Sequence, residues 1–190
     1  MTNRQFYVVL LFLVLAVGSV ASTVCAAGKG FYAGGQIKWE YLFEDGVISE
    51  ARWYDESGQM VSREVYHAGK LEKAEGYRAD GSLEWQTKPL ADDRQAVARF
   101  DKNGQMTALY QTVAGQADGE YKTFYADGQE KQTVNYRQGV LHGPATTFFP
   151  NGQVEHEFAY KNGEVDGIYR TYSAEGKLLT EYTFRTGQLQ

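Results

Sequence analysis

The sequence predicts an all-β protein, an elongated array of stacked antiparallel β-hairpins. Three observations carry that prediction. Gly recurs at a fixed register, at 35, 58, 81, 104, 128, 152 and 176, so the period is 23 residues and then 24. Apolar and polar residues alternate between these glycines, the period-two pattern of a half-buried strand. Asp-Gly at 80–81 and 127–128, and Asn-Gly at 103–104 and 151–152, stand where neighbouring strands must reverse. Such turns need a positive φ, which Gly adopts without steric cost.

In chain order, residues 1–27 come first. Arg4 and the amino terminus are followed by an apolar run from Phe6 to Val17, then by Gly18, Ser19, Ala21, Ser22, Ala26 and Ala27. A charged start, a short apolar stretch and small residues at the exit define a secretory signal peptide, with cleavage after Ala26 or Ala27. An uncleaved membrane anchor over Phe6–Ala27 is the alternative. A lipid anchor on Cys25 is disfavoured, because Val24 stands where a small residue belongs. The expected location is therefore periplasmic or secreted.

Residues 28–190 form the repeat domain, in seven units. Each carries an aromatic four positions before its register Gly: Phe31, Tyr54, Tyr77, Phe100, Phe124, Phe148 and Tyr172. After the turn one face alternates, as with Ile37, Trp39, Tyr41 and Phe43 in the first unit and Val154, His156, Phe158 and Tyr160 in the sixth. A second Gly follows eleven residues after the first, at 46, 69, 115, 139, 163 and 187; it is missing once, where Asp92 stands. A third Gly opens the last three units, at 119, 143 and 167. One hairpin alone is not stable in water, so each unit must cover its neighbour, with a ladder of Phe and Tyr as the core. The third unit is irregular. Pro89 takes the place of an aromatic and cannot donate to a strand ladder, which predicts a bend or bulge at 86–95. Irregular loops on a rigid scaffold gather binding residues, so Trp85, Asp92, Asp93 and Arg94 are the candidate partner contacts.

The run Tyr160-Lys-Asn-Gly163-Glu-Val-Asp-Gly167-Ile-Tyr-Arg-Thr-Tyr172-Ser-Ala-Glu-Gly176, with Tyr136-Arg-Gln-Gly139-Val-Leu-His-Gly143, resembles MORN repeats. The likeness is closest to the bacterial MORN-variant branch, whose members are often labelled antitoxin-like. It covers about residues 31–190, is most specific over 119–190 and fades over 72–95. The resemblance implies β-hairpin meanders serving as interaction scaffolds, with membrane-lipid binding also proposed for such repeats. The antitoxin label implies an immunity-type protein that neutralises a toxic partner, here one acting in the envelope. Residues 52–60 are also similar to choline- or glucan-binding repeats, and Tyr54-Asp55-Glu56-Ser57-Gly58 to YD repeats; neither accounts for the second and third Gly phases.

Composition narrows the function. The 190 residues hold 19 Lys and Arg against 24 Asp and Glu, a net charge of −5. That balance excludes a general nucleic-acid binder and disfavours an anionic membrane surface as partner. A single Cys excludes a disulfide framework and a cysteine-based zinc site. His67, His142 and His156 lack metal-ligand spacing, so no metal or cofactor is expected. No nucleophile elbow or P-loop occurs, and Asp101-Lys-Asn103-Gly104 reads as a turn rather than a calcium loop. The chain reads as non-enzymatic. Its expected role is to bind a protein, with envelope lipid or cell-wall glycan binding through exposed aromatics as the alternative. Homodimerisation would cover an open aromatic face.

Overall fold

The computed structural model describes residues 25–190. The leader expected at 1–27 lies outside the described residues, apart from Cys25–Ala27, which begin the first strand. The described residues contain strands and turns and no helix. They divide into two compact units between Ser82 and Leu83, rather than at 86–95.

The first unit holds β1 (Cys25–Phe31), β2 (Ile37–Glu44), β3 (Val47–Tyr54), β4 (Met60–His67) and β5 (Lys70–Tyr77). They pair antiparallel in chain order. The second unit holds β6 (Leu83–Pro89), β7 (Arg94–Phe100), β8 (Met106–Val113), β9 (Gln116–Phe124), β10 (Glu130–Arg137), β11 (Val140–Phe148) and β12 (Val154–Lys161). It continues with β13 (Glu164–Val165), β14 (Gly167–Tyr172), β15 (Leu178–Arg185) and β16 (Gln188–Leu189). Here too the strands pair antiparallel in chain order, except that β12 pairs with both β13 and β14 and β13 pairs with β12 alone.

The two glycine phases make two kinds of turn, one at each end of the strands. At the first phase the loop has three residues. Asp55 N–H donates to Gln59 O at 2.9 Å, Gly58 N–H donates to Asp55 O at 3.0 Å, and only Gly58 takes a positive φ, +87°. This is a type I turn closed by a glycine bulge. The Asp55 carboxylate also accepts from Ser57 N–H and Gln59 N–H. Asp101 does the same in the fourth unit. At the second phase two successive residues have positive φ, as at Asp45 (+50°) and Gly46 (+80°), the two-residue type I′ turn.

The change of period from 23 to 24 is visible beside the type I′ turns. In the first unit one residue, Ser49, bulges between the pairs Phe43↔Ile48 and Leu42↔Glu50. Between Tyr136↔Leu141 and Val134↔Ala145, three residues (His142, Gly143 and Pro144) face Asn135 alone. The third Gly phase sits in these wider bulges. Gly119, Gly143 and Gly167 have φ of +94°, +106° and +103°, a conformation that a side chain rarely adopts.

The third unit forms its hairpin. Trp85 to Pro89 pair with Arg99 to Gln95 without a register shift. Ala91 O accepts from Arg94 N–H at 3.3 Å across Asp92 and Asp93, whose φ angles are +59° and +56°. Asp93 thus occupies the turn position held by Gly46 or Gly69 elsewhere. The bulge has moved to the other side of the turn: Leu90 N–H donates to Arg94 O at 2.8 Å, leaving one extra residue after Pro89. Pro89 is tolerated at the end of β6, where the next residue leaves the regular ladder.

The expected core of large aromatics is not closed. Among the described residues the buried apolar side chains are small: Ala51, Val97, Ala108, Val134 and Ala145. Most of the rings are half-buried, and Phe31 and Tyr182 are exposed. The physical reason is that each unit is a sheet with no second layer over it. A ring can then cover a small neighbour but is covered only by other rings beside it.

Candidate functional site

Strand alternation gives each unit two unlike faces. In the first unit one face is a ladder of charges. Lys29 Nζ lies 3.3 Å from Glu40, and Arg52 bridges Glu40 (3.3 Å) and Glu50 (2.8 Å). Arg63 bridges Glu50 (3.6 Å) and Glu75 (2.6 Å), and Lys73 closes the ladder on Glu75 at 2.8 Å. Glu40 and Glu75 are only 8% and 6% exposed. The hydroxyls of Tyr54 and Tyr77 donate to them at 2.6 Å and 2.8 Å. For Glu75, burial alone would raise the carboxyl pKa, but hydrogen bonds from Lys73, Arg63 and Tyr77 outweigh it and hold it at about 2. Burial, reinforced by the bond to Glu75, pushes the Tyr77 hydroxyl up to about 12. Each of these carboxylates already has a basic partner, so this face reads as internal structure rather than a ligand site.

In the second unit one face is nearly free of charge. Register pairs place Trp85 and Val97, Tyr110 and Tyr121, Val134 and Ala145, then Phe158 and Tyr169, on that face. Between them stand Thr, Gly, Ala and the uncharged Gln95 and Gln132. Arg99 is the one formally charged residue that the paired registers of β6–β15 put there; the bulged Glu155 adds a carboxylate beside Thr147 (3.4 Å) and His156 (3.8 Å). The rings form two clusters. Tyr110 and Tyr121 stack with centroids 4.6 Å apart at 20°, and Tyr136 leans on Tyr121 at 5.7 Å. Phe158 and Tyr169 stack at 5.0 Å and 27°, flanked by Tyr160, Phe184 and His156. His156 Nδ1 is 3.2 Å from the Tyr169 hydroxyl, a satisfied imidazole among rings. Burial, with Tyr110 and Tyr136 alongside, raises the pKa of Tyr121.

Of the four residues singled out in the sequence, Trp85 belongs to this face, directly opposite Arg99. Asp92, Asp93 and Arg94 do not join it; they lie at the turn end of the same hairpin. Asp92 and Arg94 line an open notch of about 580 Å³ with Val113, Gln116, Asp118 and Gln138. Arg94 reaches Asp118 at 3.9 Å and Gln111 at 3.4 Å. Similar notches lie between successive type I′ turns, one at Asp45 and Ala68 and one at Gln138 and Asn162. In the second unit one contact repeats between successive turns: Asp118, His142 and Asp166 accept from the turn amides of Gln138, Asn162 and Thr186, at 3.1, 3.4 and 3.1 Å. Among the described residues no three His, Cys, Asp or Glu side chains converge as a metal site would require. The charge at Arg99 escaped sequence reading because the bulges reset which positions share a face. Only the strand registers reveal it.

The family model described as MORN repeat variant matches residues 49–68, 117–138, 141–162 and 165–186. Each matched segment contains a strand, a glycine-bulge turn and the returning strand. No curated protein matches the chain at a significant level. Among solved structures, two of TarM are similar, one of them a mutant of the S. aureus protein in complex with fondaparinux, alpha-GlcNAc-glycerol and UDP. Their TM-scores are 0.41 and 0.39, with 12% and 13% identity over 56% and 54% of this chain. A GtfA/B complex bound to UDP and GlcNAc gives a TM-score of 0.27 and 19% identity over 58% of this chain. The matches span 21%, 21% and 22% of those longer proteins. Nothing about function is transferred at this level of likeness.

Proposed function

The chain is a scaffold of MORN repeat variants, and on that premise we propose that it is an exported, non-catalytic protein that binds another protein through the low-charge face of its second unit. One observation carries this reading: a sheet face running across β6–β15 holds half-buried rings and few formal charges, Arg99 in register and Glu155 from a bulge. A contiguous apolar face of that extent is unusual on a monomer and marks an interaction surface. Covering it gains about 25 cal/mol per Å² of apolar area removed from water. Trp, Tyr and Arg are also the residues in which binding energy concentrates.

Export rests on the leader-like residues 1–27. With export, the partner meets the chain in the envelope or outside the cell. The finer reading, neutralisation of an envelope-active toxin, follows from the antitoxin-like branch that the repeats resemble.

The test is affinity purification of the tagged full chain from its native host, beside a Tyr121→Ser/Phe158→Ser double variant whose circular dichroism matches the parent. A near-stoichiometric polypeptide held by the parent and lost by the variant supports the reading. If that polypeptide is toxic when the chain is absent, the immunity role follows. Lipid or glycan retained in its place moves the face to envelope-ligand binding. Fractionation that finds the chain in the cytoplasm sinks export.

A further inference from the structure

Resting on the low-charge face as a docking surface, we infer that the partner presents a carboxylate among apolar side chains, and that Arg99 receives it. The Arg99 side chain is 47% exposed. Its own contacts are long: Tyr110 Oη at 3.5 Å from Nε, and Glu84 at 4.0 Å from Nη1. A guanidinium has five donors in a planar fork, so most of this one is unspent. The Glu84 contact joins two half-exposed side chains and is worth little in water, so a partner can displace it.

The surroundings decide what can approach. Trp85 stands opposite Arg99 in register, and Tyr110 and Tyr121 stack on the other side. A basic group is repelled by Arg99. A wholly apolar partner would bury an uncompensated cation, which is costly. A carboxylate satisfies the fork with two parallel hydrogen bonds while its apolar neighbours cover the rings. Once water is excluded, that pair is stronger than the exposed Glu84 contact it replaces. The occupant is therefore an acidic residue flanked by apolar side chains on a partner protein.

Short random peptides displayed on phage and panned against the full chain test this, with Arg99→Gln and Tyr121→Ser as parallel targets. The expected result is enrichment of Asp or Glu between apolar residues on the parent. The enriched peptide, made synthetically, should weaken at least about tenfold on Arg99→Gln, and equally when its acid is changed to the amide. Binding that survives Arg99→Gln but fails on Tyr121→Ser overturns the carboxylate and leaves the docking face standing. Binding that survives both variants overturns the inference and the face together. An absence of enriched peptides on the parent also counts against the inference.

Discussion

The Tyr54 hydroxyl donates to Glu40 at 2.6 Å, and the same bond recurs from Tyr172 to Glu157 at 2.6 Å. The register explains which units have it. Glu40 pairs with Arg52, Arg63 with Glu75 and Glu157 with Arg170, and in each case the aromatic two residues after the second partner is a Tyr. Gln86 pairs with Ala98, Leu109 with Lys122 and Thr133 with Thr146; there the aromatic is Phe100, Phe124 or Phe148. A hydroxyl is present where a Glu accepts it and absent where none stands. Removing it from a buried carboxylate leaves an acceptor short. Tyr54→Phe should destabilise the first unit by about 1–2 kcal/mol. Tyr172→Phe, next to the more exposed Glu157, should cost the second unit less. Urea unfolding with a probe in each unit measures both.

Glu75 sets an acid limit for the first unit. Its folded pKa of about 2 lies below the ordinary value of 4.5. The carboxylate therefore stabilises the fold fully above pH 4.5, and that stability is lost as pH falls toward 2. The unfolding midpoint of the first unit should drop across that window. Glu75→Gln should start lower and flatten the drop; an unchanged slope would refute the assignment.

Much of this was legible in the sequence. The glycine phases located the hairpins except β6–β7, whose turn is Asp92-Asp93, because each phase reports a backbone angle that other residues adopt only with strain. The type of turn was less legible. Asp80-Gly81 and Asn103-Gly104 suggest a two-residue turn, yet only the Gly takes a positive φ there. The longer loop forms whichever residue stands three places before the Gly, Asp55 and Asp101 or Arg78 and Tyr125, so no single residue announces it; the Asp55 and Asp101 side chains only add caps to it. The faces were least legible. Each bulge shifts alternation by a residue or two, so Arg99 could not be placed beside Trp85 and Tyr110 without the registers.

Asp93 strains its turn. It stands at φ +56° where the other type I′ turns place Gly. Asp93→Gly should stabilise the second unit by up to about 1 kcal/mol, the cost of a side chain in the left-handed region less the entropy that Gly loses on folding. Asp92→Gly should gain less, because that position carries Asp, Ala, Gln, Asn or Thr in the other turns. Equal gains at both would mean that Asp93 is held by a contact rather than tolerated.

Gly30 and Gly143 are glycines for different reasons, and one substitution separates them. Gly30 faces Trp39, and a Cβ there would fall within the Trp39 indole. At Gly143 an added Cβ would meet only ordinary van der Waals contacts, but the φ is +106°. Gly30→Ala is a steric fault, so trimming the ring should relieve it: Gly30→Ala with Trp39→Leu should be less destabilised than the two single costs summed. Gly143→Ala is a backbone fault costing about 1–3 kcal/mol. Its nearest side chain is Asn135, 3.4 Å from the added Cβ, and Asn135→Ala should recover almost none of that loss. The Asn135 side chain donates to Pro144 O across the same bulge, so its removal adds a cost of its own. Double-mutant cycles on the unfolding free energy decide the matter: strong coupling for Gly30 with Trp39, and coupling near zero for Gly143 with Asn135.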